Sequence, residues 1–235
     1  MKTIGILGGL GPETTSKIYH SIIDLFRKNK SATYPSIIIY NLPFPFAIEK
    51  EAIVEGRNSE KMLPYLVDGA KILEKAGASF GILPCNTLHK YIQEIRNAVK
   101  IPFLSILDET VSKLKSMKIH TVGILATETS VRDKLYNSIL EKNGINLLYP
   151  TKTEQNNLNR IILELINEEK DDIQGQMIEK ICSSLRKRGA KSILLACTDI
   201  QIATFKSEIP IIDTTEILIQ ASMRELRKMD FPSSL

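Results

Sequence analysis

The chain is written twice, and that duplication limits its fold more than any other feature. Thr3-Ile4-Gly5-Ile6-Leu7-Gly8-Gly9 is echoed by Thr121-Val122-Gly123-Ile124-Leu125-Ala126-Thr127. Gly77-Ala78-Ser79-Phe80-Gly81-Ile82-Leu83-Pro84-Cys85-Asn86-Thr87 is echoed by Gly189-Ala190-Lys191-Ser192-Ile193-Leu194-Leu195-Ala196-Cys197-Thr198-Asp199. In both copies the cysteine stands eight residues after the glycine, and an Ile-Pro dipeptide follows, at Ile101-Pro102 and Ile209-Pro210. Chance supplies one such match, not three in the same order. The period is near half the chain, too long for a solenoid repeat. Two similar units are the simplest explanation.

Within the first copy, short β-branched runs alternate with longer amphipathic stretches. Residues 4–7, 37–40, 80–84 and 103–106 predict strands; residues 13–28, 59–76, 88–99 and 109–117 predict helices. Pro12 suits the first turn of the first helix, and Gly77 suits the position just past the end of the second. This alternation argues for an α/β fold with parallel sheets. The expected architecture is two similar parallel-sheet α/β domains related by a pseudo-two-fold, with the site in the cleft between them. In open α/β sheets ligands bind beyond the carboxyl ends of the strands, and both cysteines stand at such ends.

Composition removes several alternatives. The chain has 235 residues, 43% apolar and 25% charged, so it can bury a core without metal or disulfide staples. Its longest apolar runs, Ile37-Ile38-Ile39 and Ile193-Leu194-Leu195-Ala196-Cys197, are far short of the roughly 20 residues that span a bilayer. A net charge of +4 is too mild to argue for nucleic acid. Arg186-Lys187-Arg188 reads as cations favoured at a helix C-terminus, and residues 168–172 as a solvated turn. Gly8, Gly9 and Gly11 interrupt the apolar N-terminus too early for a signal peptide. Three cysteines, an odd count, are then expected as reduced thiols in a cytoplasm.

Two thiols at equivalent strand ends suit one kind of chemistry. Asn86, Thr87, Thr198 and Asp199 are residue types favoured at helix starts, where free N–H groups stabilise a thiolate and can hold a carboxylate. An unperturbed thiol titrates near ~8.5, so a modest helix-start shift brings it toward cellular pH. Two such thiols in one cleft titrate as a pair, one thiolate beside one thiol. That is a matched base and acid for taking a proton from one face of a carbon and delivering one to the other. The substrate carbon must be weakly acidic and flanked by a carboxylate, held by backbone N–H groups and by Asn86, Thr87 and Thr198.

Pro84-Cys85-Asn86-Thr87-Leu88-His89, Ala196-Cys197-Thr198-Asp199 and Gly5-Ile6-Leu7-Gly8-Gly9-Leu10-Gly11-Pro12 resemble the aspartate/glutamate racemase superfamily, nearest its aspartate racemase branch. The resemblance spans nearly the whole chain. It implies an amino-acid racemase, with aspartate or glutamate as substrate, working without pyridoxal phosphate or metal as a homodimer of two-domain subunits. It implies that Cys85 and Cys197 are the catalytic acid/base residues. It also implies that Asn86, Thr87, Thr198, Asp199 and the backbone near Gly9 and Leu10 contact substrate. Family members return their last strand and helix to the first domain, so the expected domains are 1–103 with 211–235, and 104–210. There are departures from the pattern. Glutamate racemases carry histidine, and aspartate racemases more often glutamate, where this chain has Asp199. Aspartate-selective members carry an arginine in the loop after the second strand; residues 42–48 hold no cation, and Ile48 takes that place. An apolar or broader amino acid is then a competing substrate. Hydantoin racemases, maleate isomerases and a non-catalytic amino-acid-binding relative are the alternatives on the same architecture.

Other residues read more plainly. Cys85 and Cys197 as a redox disulfide would need Cα atoms within about 4.4–6.8 Å. Cys182 shares a helical stripe with Ile178, Ile181 and Leu185 and reads as core. His89, one turn beyond Cys85, reads as a hydrogen-bonding support; His20 and His120 read as structural or exposed. Histidine and cysteine spacing gives no zinc site. The loop Gly8-Gly9-Leu10-Gly11 lacks a third glycine at Thr14, and the second strand ends in Asn41-Leu42 without a ribose-binding acid, so a dinucleotide is not expected. Glu51, Lys50 and Arg57 are charged residues after the loop; Glu51 reads as solvated, and neither cation matches the arginine position.

Overall fold

The computed structural model describes residues 2–31, 33–49, 51–52, 57–166 and 172–228. Lys50, most of the expected turn at 168–172 and the tail 229–235 lie outside the described residues. The first unit runs β1 (Thr3–Gly8), α1 (Pro12–Lys28), β2 (Ser36–Asn41), a short α2 (Phe46–Glu49), a 3-10 turn (Ser59–Met62) into α3 (Leu63–Lys75), β3 (Phe80–Ile82), a 3-10 turn (Thr87–Tyr91) into α4 (Ile92–Ala98), β4 (Phe103–Leu104) and α5 (Ile106–Ser116). The second runs β5 (Thr121–Ala126), α6 (Glu128–Arg132), α7 (Asn137–Glu141), β6 (Asn146–Leu148), α8 (Lys152–Ile166), α9 (Asp172–Lys187), β7 (Ser192–Ala196), a 3-10 turn (Asp199–Ile202), β8 (Ile211–Asp213) and α10 (Thr214–Arg227). The two sheets have orders β2-β1-β3-β4 and β6-β5-β7-β8, and every pairing is parallel. The repeated sequence is therefore a repeated topology.

Local chemistry explains where the elements depart from expectation. Pro64 sits in the first turn of α3 and has no N–H to give the Glu60 carbonyl, which accepts the Leu63 N–H instead, so the long helix expected from residue 59 opens as a 3-10 turn. The expected helix 88–99 likewise splits: Tyr91, at φ −100° and ψ 12°, breaks the turn that carries His89 from α4. Helix α5 starts three residues early because Ser105 caps it, accepting the Asp108 N–H at 3.2 Å. Gly77, at φ +93°, ends α3 as expected. Gly81 has a steric reason: a Cβ there would stand 2.3 Å from the Phe103 ring, which lies across it from β4.

The units exchange their terminal helices. Leu218, Ile219, Met223 and Leu226 of α10 pack with Ile4, Ile6, Phe80 and Ile82 of the first sheet and with Ile18, Ile22 and Phe26 of α1. Val111 and Leu114 of α5 pack with Val122 and Ile124 of the second sheet. The strand before α10 does not move with it. β8 pairs with β7, so residues 211–213 lie in the second sheet rather than with the first unit as expected. A parallel edge strand can pair where β7 offers a free edge, while the helix beyond it is free to cross. Among the described residues no helix is long and apolar enough to cross a membrane.

Candidate active site

In each sheet the first strand of the unit lies between the second and third, so the loops that leave its carboxyl end diverge and open a crevice. In the first unit that crevice lies between the Gly9-Leu10 loop and Cys85-Asn86-Thr87. In the second it lies between Thr127 and Cys197-Thr198-Asp199. Ala126 and Ala196 are register partners, so Thr127 and Cys197 leave their sheet side by side.

The glycine loop is held from inside. Gly9, at φ +93°, donates its N–H to Thr15 Oγ1 at 3.1 Å, and that hydroxyl donates to the Gly11 carbonyl at 3.1 Å. The Gly9 N–H, expected to face substrate, is thus already bonded. Leu10 is buried in the cluster that contains Cys85.

Cys85 is buried, three residues beyond β3. His89 supports its turn. The Ile106 N–H can only donate, and it meets His89 Nε2 at 3.0 Å. Nδ1 therefore carries the ring proton and donates to the Cys85 carbonyl at 2.7 Å. Burial pushes the imidazole pKa down to about 4, so the ring is neutral.

Asn86 and Thr87 bridge the two units. Asn86 Oδ1 accepts from the Tyr136 hydroxyl, and Nδ2 donates to Thr214 Oγ1 at 3.0 Å. Thr214 in turn donates to the Leu195 carbonyl at 2.8 Å. The residue after Cys85 is thus tied, through one hydroxyl, to the strand that carries Cys197. Thr87 Oγ1 lies 3.0 Å from Thr127 Oγ1 and 3.3 Å from Ser130 Oγ, a triangle of hydroxyls across the cleft. Two outer ties repeat the symmetry: Lys17 of α1 donates to Gln201 beyond Cys197 at 2.6 Å, and Lys90 beyond Cys85 meets Asp133 after α6 at 2.7 Å.

Cys197 is buried, and its thiol lies 3.5 Å from Asp199 Oδ2. Burial first, then the Asp199 carboxylate, raises this thiol well above its ordinary pKa, and charge on Cys85 raises it further. Burial also raises Asp199, the thiol hydrogen bond lowers it, and Glu13 raises it. A Cβ on Gly11 would come 3.0 Å from Glu13 Oε2 and 4.0 Å from Asp199 Oδ1, so carboxylates from both units converge beside the glycine loop. The expectation that helix starts bring the thiols toward neutrality is overturned for Cys197. Turns of five and four residues, not α-helices, follow the cysteines, and burial outweighs what their N–H groups contribute.

The remaining residues fall elsewhere. Thr198 is buried directly after Cys197. Cys182 packs among Ile178, Ile181 and Leu185, its thiol pushed up to about 12 mainly by burial, and all three cysteines are free thiols. His20 and His120 are exposed. Phe44 and Ile48 pack on the cluster around Cys85, and Phe46 is exposed. Glu51 bonds Lys61 at 2.9 Å and Asn58 at 3.1 Å, away from both thiols' partners. Thr15, Tyr136, Ser130 and Thr214 were not singled out by sequence reasoning. Thr127 carried a usable signal, since it repeats Gly9. Among the described residues no three His, Cys, Asp or Glu side chains group as metal ligands.

The sequence and the fold both match known proteins. The family model described as Asp/Glu/Hydantoin racemase matches residues 7–222. The broad-specificity amino-acid racemase RacX of Bacillus subtilis (strain 168) is 31% identical over 229 residues, covering 94% of this chain and 96% of that protein. An aspartate racemase homologue from Pyrococcus horikoshii OT3 superposes with a TM-score of 0.80 at 28% identity, over 96% of this chain and 99% of its own. The aspartate racemase of Picrophilus torridus gives 0.78 at 26% identity, over 96% and 94%.

Proposed function

The chain belongs to the Asp/Glu/hydantoin racemase family, and on that footing we propose that it is a pyridoxal-phosphate-independent amino-acid racemase using Cys85 and Cys197 as its two bases. The observation that carries this reading is the pair of buried thiols at equivalent strand ends, tied together through Asn86, Thr214 and Leu195. One thiolate takes the α-hydrogen as a proton and becomes a thiol. The electron pair left on carbon spreads into the flanking carboxylate. The opposite thiol then protonates the other face and becomes the thiolate. The product is the mirror-image amino acid, and the two sulfurs have exchanged roles.

The surroundings suit these steps. N–H groups at the turns after each cysteine, with the Thr198 hydroxyl and with Thr87 once substrate displaces a member of its hydroxyl triangle, stabilise charge on the substrate carboxylate. Both ends of the Asn86 side chain already have partners, so its side chain sets geometry while its turn faces the substrate. Gly9 and Leu10 form the opposing wall. The resting site favours Cys197 as thiol beside the Asp199 carboxylate. A substrate ammonium entering there offsets the carboxylates and eases formation of a thiolate.

Aspartate and glutamate are the first substrates to test. The cation-free loop 42–48 and the converging carboxylates of Glu13 and Asp199 also favour amino acids with no acidic side chain. The test is exchange of the α-hydrogen in deuterated water across L- and D-amino acids, with chiral chromatography. Wild type should exchange and racemise at least one of them, and Cys85→Ala and Cys197→Ala should each abolish racemisation. Full racemisation by either variant would remove the two-thiol mechanism. The subunits are expected to pair as homodimers, which sedimentation reads directly.

A further inference from the structure

Among the described residues, two buried side-chain polar atoms have no hydrogen-bond partner, Gln155 Oε1 and Ser192 Oγ. Ser192 opens β7, at the end of the sheet away from the cysteines. Gln155 lies at the other end. It stands in the first turn of α8, one turn before Leu158, whose side chain shares a cluster with Cys197 and Ile200. Its Nε2 donates to the carbonyl of Ala126, the last residue of β5 and the register partner of Ala196. The orphan oxygen is therefore at the level of the strand ends that carry Thr127 and Cys197.

The orientation of this amide is fixed by its neighbours. Asn159 Nδ2 donates to Glu128, which leaves Asn159 Oδ1 as an acceptor for Gln155 Nε2 at 2.8 Å. Turning the Gln155 amide over would set its oxygen against the Ala126 and Asn159 oxygens. Oε1 is thus an acceptor that the fold holds in place, 94% buried and unsatisfied. An unmet buried acceptor carries a desolvation cost that a donor from a ligand would remove.

A single acceptor in one unit suits the substrate: the two proton-transfer faces are equivalent, but the ammonium leaves the stereocentre on one side only.

We infer that Gln155 Oε1 accepts a hydrogen bond from the α-ammonium of the substrate, making Gln155 a substrate-binding residue of the second unit. This rests on the racemase reading above. The measurement compares the affinity of an amino acid with that of its des-amino analogue by calorimetry. The probes are L-aspartate against succinate, L-glutamate against glutarate, and L-leucine against 4-methylpentanoate. Gln155→Met removes the acceptor at nearly constant length. Gln155→Lys also removes it but keeps a donor for the Ala126 carbonyl, and it serves if the first variant does not fold. Both should lower the preference for the amino acid over its analogue at least about tenfold, the range of a hydrogen bond to a charged group. A purely structural role would weaken both ligands alike, so an unchanged ratio overturns the inference. Wild-type exchange of the α-hydrogen is measured alongside. Its absence for every amino acid removes the racemase reading, and the inference with it, whereas exchange with an unchanged ratio removes the inference alone.

Discussion

Acid should loosen the Cys85 turn through one side chain, His89. Its neutral ring is what fits: Nε2 accepts from Ile106, Nδ1 donates to Cys85, and no solvent reaches it. Protonating Nε2 would break the first bond and bury a charge. The folded pKa is accordingly pushed down to about 4 from the ordinary 6.5, chiefly by burial. Above pH ~6.5 both folded and unfolded chains hold the neutral ring, and its contribution to stability is complete. As the pH falls from there to about 4, the unfolded chain binds a proton that the folded one refuses. Stability then drops by up to ~1.4 kcal/mol per pH unit, or roughly 2 kcal/mol between pH 7 and 4.5. His89→Gln is the control, since an amide can donate to the Cys85 carbonyl and accept from Ile106 without titrating. Urea unfolding of both proteins at several pH values between 7 and 4.5 gives the difference. Asp199 and Asp213, whose carboxyls burial raises, push stability the opposite way on acidification, but they do so in both proteins and cancel. Wild type should lose about 2 kcal/mol more than the variant over that range. Parallel curves would refute the assignment of a neutral, proton-refusing ring.

Thr214→Val strands Asn86 Nδ2 and the Leu195 carbonyl, at about 1–3 kcal/mol for each buried group; thermal melting should fall by roughly 5–15 °C, and a fall of under ~2 °C would show that the tie carries little. Asp199→Asn removes the carboxylate that raises Cys197, so the pH profile of Cys197 alkylation, read in a Cys85→Ala background, should move to lower pH; an unmoved profile would leave burial as the only cause. Gly9→Ala places a Cβ 3.0 Å from the Leu42 nitrogen at φ +93°, a strain of about 1–3 kcal/mol that urea unfolding should read.

The units, their parallel sheets and the positions of both cysteines were legible because each rests on local pattern repeated at a distance. Gly5 and Gly123 hold the same place in β1 and β5, and Gly77 and Gly189 mark the same turn. The ties that complete the site were not legible. Asn86 with Tyr136, Thr87 with Thr127, and Thr214 with Leu195 are contacts between units, and no periodicity encodes which hydroxyl meets which amide. The crossing of α10 was expected only through the family resemblance, not from the helix's own pattern. Its apolar stripe of Leu218, Ile219, Met223 and Leu226 would suit either sheet, and only the assembled surface decides between them. The acidity of Cys197 was misjudged because sequence shows the polar residues that open a turn but not how deeply the sulfur lies beneath them.

Symmetry of scaffold does not extend to the charges around it. Cys85 is supported by a neutral imidazole acting on its carbonyl, whereas Cys197 faces an ionisable carboxyl directly at its sulfur. Left empty, such a site is biased: the proton belongs on Cys197. In the two-thiol reaction proposed above, that bias cannot stay at full strength, because each thiol would have to serve as base in turn. The asymmetry must therefore be offset by something present only during turnover. A substrate cation set among Asp199, Glu13 and the second unit's polar groups has the right sign and the right timing. The binding of the amino acid, rather than the fold alone, would then bring the two thiols to comparable acidity.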